Sequence, residues 1–320
     1  MTAKGTARAG VVPALAVLIA LGAASLLVGA GDLLGAGDGL GLLLTSRLPR
    51  TLAALLTGAG LAIAGLVMQT LARNRFVEPM TAGAGQSAAL GILIVTILAP
   101  GAPIALKGLA ASACAFAGMA LFLVLVRRFP PTQPLLVPLF GLVYGGVVGA
   151  LATGIAWDRD LLQFLSVWMN GEFSAVMQGR YELLWVVGAL AFVAFWVADR
   201  LTILSLGRDA AVGLGLDYRA MLQVGLVIVS LVSGITVVTV GAIPFVGLVV
   251  PALVVRYHGE DVGAALPLVA AGGAGLVLAC DIAARLLRHP YEVPVGTVLG
   301  VVGAIGFLAV ILSRAGRRTA

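Results

Sequence analysis

"RLPRTLAALLTGAGLAIAGLVMQTLARNRFVEPMTAG", residues 47–83, sets a largely apolar stretch, residues 51–71, between an arginine pair, Arg47 and Arg50, and a second basic cluster. A carboxylate, Glu78, stands just past that second cluster. A bilayer core about 30 Å thick takes roughly 20 apolar residues of helix, and this run has that length. Arginine at each end fits the two water interfaces, where the guanidinium stays hydrated while its stem lies along the helix.

The whole chain follows that pattern. Of its 320 residues 61% are hydrophobic and 11% charged, which no single soluble core accommodates. An all-α polytopic membrane protein follows, read as one transmembrane domain over residues 1–320. Candidate spans lie near 11–30, 51–71, 82–99, 107–126, 135–155, 181–198, 220–241, 244–256, 264–281 and 295–313. The stretch 244–256 is short for a full crossing, so it must tilt or sit within the bundle. The first apolar run is too long for a signal-peptide core and is read as an uncleaved helix.

An even count of ten puts both termini on one side. With that side cytoplasmic, 13 of the 20 Lys and Arg face inward and 7 outward, as the positive-inside rule requires. The net charge of +6 is then a topology signal and calls for no nucleic acid. Arg47, Arg50 and Arg285 are among the residues placed outside, against the bias.

Chemistry is sparse. The two histidines, His258 and His289, lie in polar connections, and no H-E-x-x-H, Walker loop, paired intramembrane carboxylates or Ser-His-Asp set occurs. An enzyme or an ion-coupled carrier therefore has little to work with. Asp281, at the end of the ninth span, has Arg285 one turn later as a partner. Cys114 and Cys280 fall inside spans and read as small packing residues, with no metal-ligand spacing. The 43 glycines suit a tightly packed bundle, and Gly58, Ala62, Gly65 and Gly141, Gly145, Gly149 have small-xxx-small spacing.

The longest inward connection, "DRLTILSLGRDAAVGLGLDYRAM" (199–221), is amphipathic and punctuated by Gly207, Gly213 and Gly215. It reads as one or two short helices at the membrane surface, serving either as a plain linker or as a docking element for a moving partner.

The opening passage, continued by "EPMTAGAGQSAALG", resembles the signature of the FecCD-type permeases of iron-chelate and cobalamin ABC importers. "LGRDAAVGLGL", "GAIPFVGLVVP" and "DIAARLLRHPYEVPVGTVLGVVGAIGFL" follow in that family's order, so the likeness covers nearly the whole chain. The resemblance implies the ten-span type II importer fold and a pathway built by two permeases, as a homodimer or a paralogous heterodimer. It also implies two cytoplasmic ATPases that use ATP, and a binding protein docking outside. The chain itself would bind no cofactor and catalyse nothing.

By the same likeness Arg47, Arg50 and Arg285 correspond to the arginines that receive glutamates of the binding protein, a task suited to a bidentate guanidinium. Leu206, Gly207, Ala210, Ala211, Gly213, Leu214 and Gly215 match the coupling helices that sit in an ATPase cleft. Thr132 and Gln133, in "RRFPPTQPLL", stand where relatives have their cytoplasmic gate, although the proline-rich sequence departs from the usual short hydroxyl-bearing pattern. A second departure is Ala252, where many relatives carry histidine after the proline. "RNRFVEPMTAG" is similar to the branch handling catecholate and mixed-ligand siderophores. The expectation is a ferric siderophore permease of the inner membrane, with cobalamin or haem as alternative cargo and a secondary carrier or a membrane scaffold as alternative classes.

Overall fold

A computed structural model describes residues 3–29, 39–130, 133, 135–259, 261–288 and 290–315. Among them all regular structure is helical. In chain order the helices are α1 (Ala3–Leu27), α2 (Gly39–Leu42), a π turn (Leu43–Arg47), α3 (Leu48–Ala72), α4 (Ala84–Leu98), α5 (Ile104–Val126) and α6 (Leu136–Asp158). They continue as α7 (Leu162–Met169), α8 (Leu184–Trp196), α9 (Ala198–Ser205), α10 (Arg208–Gly213), α11 (Tyr218–Val240), α12 (Val246–His258), α13 (Val262–Leu286) and α14 (Val295–Ala315).

Among the described residues seven helices are long and apolar enough to cross a membrane, and α8 with α9 forms an eighth such unit bent by 64°. The shorter apolar helices α4 and α12 complete the set of ten expected segments. At 1.5 Å per residue the 13 residues of α12 rise about 20 Å, well short of the hydrocarbon core. α4, with 15 residues, is also too short to cross alone. Each is preceded by irregular backbone: 73–83 before α4 and 241–245 before α12. Such backbone survives at membrane depth only when protein encloses it, and Val77, Glu78, Met80, Ala82 and Ile243 are buried here.

α3 is the centre of the bundle, touching α13, α12, α11, α8 and α9. Its glycines explain how. A Cβ on Gly58 would lie 2.3 Å from the Gly273 carbonyl oxygen of α13, and one on Gly65 would lie 2.0 Å from that of Gly247 in α12. Backbones meet directly because lipid supplies little hydrophobic drive and close dispersion contact holds the helices. Gly141 and Gly145 do the same for α6, against Ala82 and Gly83.

The π turn has a local cause. Pro49 lacks an N–H and cannot bond the Thr45 carbonyl one turn back, so the ladder widens there. The Thr45 oxygen instead accepts from Gln178 N–H at 3.0 Å. Cys114 and Cys280 are free thiols within α5 and α13.

One expected boundary changes. Asp199–Ser205 is part of α9, which buries Leu201 and Leu204 in the bundle, and Tyr218 already opens α11. The inward connection therefore reduces to residues 206–217.

Candidate functional site

Two constellations occupy opposite ends of α3. At its N-terminal end the sequence-selected arginines converge, and they do so around a buried carboxylate. Asp281 is 0% exposed and takes the Arg50 Nη2 at 2.8 Å and the Arg285 Nη2 at 2.7 Å. Arg50 also grips Glu292 through both carboxylate oxygens, each 2.9 Å from Nη1.

Arg47 and Arg285 close the end of α1. The last carbonyls of a helix lack intrahelical donors and carry the negative end of its dipole. Arg47 Nη1 donates to the Leu26 and Leu27 oxygens at 2.8 and 3.0 Å. Arg285 Nη1 donates to those of Ser25 and Val28 at 3.0 and 2.6 Å, and its Nη2 to Ser25 Oγ at 2.7 Å. The Ser25 hydroxyl meets Thr51 Oγ1 at 2.9 Å, which in turn donates to the Arg47 carbonyl.

The three guanidinium groups, read from the sequence as hydrated at a water interface, are largely enclosed by protein. Arg47 and Arg285 are 6% and 5% exposed, and the Arg50 side chain is 11% exposed. The i,i+4 pairing of Asp281 with Arg285 was legible from spacing. Ser25, Thr51 and Glu292 were not, since single hydroxyls and an isolated Glu carry no spacing signal.

At the other end α3 stops at Arg73, a non-glycine residue at φ 50°. The Asn74 N–H reaches back to the Gln69 carbonyl, a Schellman-type closure. Beyond it stands the 206–217 connection. Gly207, at φ 102°, lies under the Arg73 guanidinium, and a Cβ there would be 3.1 Å from Nη2. Ala211 is fully buried, whereas Leu206, Val212 and Leu214 are 58%, 56% and 64% exposed. Ala210, Gly213 and Gly215 are exposed with them. Of the seven coupling candidates, two seat α10 and five face outward; Val212, absent from that set, shares their face.

Gln133 lines a cavity near Arg127 and Arg208. Thr132 lies outside the described residues, as does His289.

Glu78 has an unforeseen role. Its carboxylate, 1% exposed, accepts from Phe245 N–H at 2.8 Å, with the N–H groups of Gly247 and Leu248 also directed at it. It thus caps the N-terminus of the short α12, where orphan donors and the positive dipole end favour an anion. Removing this acceptor in Glu78→Ala should cost about 2 kcal/mol, and Glu78→Gln, which keeps one acceptor oxygen, should cost less. Thermal unfolding in detergent checks this; equal midpoints for the alanine variant and wild type would mean that the cap contributes nothing.

The FecCD transport family model matches residues 10–313. The chain is 40% identical over 272 residues to the petrobactin import system permease YclN of Bacillus subtilis, covering 85% of this chain and 86% of that protein. It is 40% identical over 273 residues to the ferric-anguibactin transport permease FatD of Vibrio anguillarum, covering 85% and 87%. Against the vitamin B12 import permease BtuC of Klebsiella pneumoniae the identity is 35% over 281 residues, covering 85% and 82%. The fold is similar to a solved metal-chelate type ABC transporter in an inward-facing conformation, with TM-score 0.80 and 24% identity over 96% of this chain and 99% of that one. With its apolar helices and a match running almost end to end, the chain is a multi-pass membrane protein belonging to the FecCD transport family.

Proposed function

We propose that the chain is the translocating subunit of an ATP-driven importer that carries a ferric siderophore across the cytoplasmic membrane. The observation that carries the coupling half of this reading is the face of Leu206, Val212 and Leu214. Three exposed large apolar side chains on one short connection suit a partner's surface. The partner is a cytoplasmic ATPase, one on each of two paired permeases, and all hydrolysis belongs to it. Closure of the ATPases on nucleotide would drag α10 and, through the buried Ala211 and the Arg73–Gly207 contact, the end of α3.

The siderophore cargo is supported by the petrobactin and anguibactin permeases at 40% identity. Vitamin B12 is the second reading, supported by relatives at 35%. The Lys and Arg distribution supports both termini on the cytoplasmic side. The arginine end then faces the binding protein. By the likeness to the family, Arg47, Arg50 and Arg285 would meet its glutamates there, with 11% of the Arg50 side chain exposed. Gln133, with Thr132 beside it in sequence, would belong to the inner gate.

Gly213 offers a clean test. Nothing lies within 4 Å of a Cβ placed there, and its φ is ordinary, whereas Gly215 sits at φ 82° and would be strained by any side chain. Gly213→Trp should leave insertion and melting unchanged yet reduce siderophore uptake at least about tenfold, because the indole occupies the ATPase cleft. Uptake at the wild-type rate would remove α10 from the coupling path.

A further inference from the structure

Three arginines far apart in sequence meet in one cavity at the end of the bundle that carries α10. Arg73 ends α3, Arg127 ends α5 and Arg208 begins α10, and all three are exposed. They line a cavity of about 380 Å³ whose other walls include Leu71, Leu123, Val126, Phe129 and Val137. None of its lining residues is acidic. The nearby Asp217 is engaged as the N-cap of α11, accepting from the N–H groups of Arg219 and Ala220.

Positive charge at the cytoplasmic ends of helices is expected from topology alone, but topology asks only that arginines be on that side. It does not ask that arginines from three elements line one concavity with no acidic residue among its described lining. Their arrangement is also built. Arg73 is held in left-handed backbone geometry, and its guanidinium rests over Gly207. The apolar part of its lining comes from the inner ends of α3, α5 and α6, beside the three arginines, Asn74, Gln133 and Tyr218. Leu121 and Val124 on α5, and Leu135 and Leu139 beside and on α6, are 51–67% exposed, so apolar surface continues from those helices to the outside of the bundle.

We propose that this cavity holds the headgroup of an anionic phospholipid from the inner leaflet, with Arg73, Arg127 and Arg208 as the phosphate ligands. Guanidinium groups match phosphate oxygens in geometry, and basic pockets between helices on the cytoplasmic side recruit anionic lipid. The apolar part of the lining receives the glycerol end and the start of the acyl chains, which a free phosphate ion would leave unfilled. A lipid seated there touches α3, α5 and the start of α10 together, and so props the coupling helix. The proposal rests on the orientation given above, which places this end at the inner leaflet.

The test uses the full chain purified in mild detergent and placed in nanodiscs of phosphatidylcholine with a minor share of phosphatidylglycerol. Phosphatidylglycerol retained per chain after washing is read by mass spectrometry. Wild type should retain it preferentially; Arg127→Gln should weaken retention about fivefold and Arg127→Gln with Arg208→Gln about thirtyfold, on the scale of one surface arginine per step. Arg127→Lys, which keeps the charge but gives up the planar fork, should fall between wild type and Arg127→Gln. Unchanged melting in pure phosphatidylcholine shows that the variants fold. Undiminished retention by the double variant would overturn the proposal. So would displacement of the lipid by millimolar inorganic phosphate, which would make the site one for free anions, and so would loss of ATPase binding alone, which would make it a protein interface. Orientation is read separately, from labelling of Leu214→Cys by an impermeant thiol reagent in inside-out and right-side-out vesicles.

Discussion

Asp281→Ala should produce the largest loss of folded protein of any single side-chain truncation in this chain. Asp281 is the carboxylate shared by Arg50 and Arg285, and it is inaccessible to solvent. Breaking a buried pair by removing one partner typically costs 3–5 kcal/mol, because the remaining charge is left uncompensated. Here two guanidinium groups lose a partner, although Arg50 keeps Glu292. Arg285 would still bond the carbonyls of Ser25 and Val28, but those dipoles do not replace a full negative charge. Against a typical net stability of about 5–15 kcal/mol the loss is severe. Monodisperse protein after extraction should fall sharply, and what remains should melt lower. The double change Asp281→Leu with Arg285→Met removes both charges and should recover much of the loss, since apolar replacement of a buried pair is often neutral. A single variant indistinguishable from wild type would show that the cluster is not what ties α1 and α13 to α3.

Gly65→Leu should be nearly as damaging, for a different reason. Its Cβ would be 2.0 Å from the Gly247 oxygen, and Gly58→Leu would be 2.3 Å from the Gly273 oxygen. Overpacking usually costs about 1–3 kcal/mol when side chains can shift. In both cases the obstacle is backbone, so α12 or α13 must separate from α3 and surrender its whole contact. We expect a cost above that range and loss of folded protein. Gly22→Leu on α1, where nothing lies within 4 Å of the new Cβ, is the matched control and should fold normally. Equal yields of Gly65→Leu and Gly22→Leu would contradict the packing described.

These two variants also show where the sequence is informative. Gly58, Ala62 and Gly65 are legible as a contact face because helical spacing repeats locally, and the same is true of Asp281 and Arg285. The partners of that face, Gly247 and Gly273, are not legible, since nothing local says which helix arrives there. The apolar segments could be read one by one from hydropathy, but the bend between α8 and α9 could not. Leu201 and Leu204 look like ordinary members of an amphipathic surface helix until the bundle buries them. The outward arginines were conspicuous because they break the positive-inside bias. Their attachment to the carbonyl end of α1 depends on a contact between residues more than 250 positions apart, as in Arg285 with Ser25, which no pattern within a window reveals. Glu78 was visible as an isolated carboxylate, and only the break before α12 explains it.

In the function proposed for it, the chain conducts a ferric siderophore and a separate ATPase gripping α10 supplies the power. Reconstitution decides it most directly: the chain in proteoliposomes with its partner ATPase, a binding protein loaded with labelled ferric siderophore outside, and ATP enclosed on the α10 side. Accumulation should require all three proteins and ATP, with no hydrolysis by the chain alone and at least about tenfold less accumulation in Gly213→Trp. Accumulation of the chelate by the chain without ATPase or ATP would contradict it.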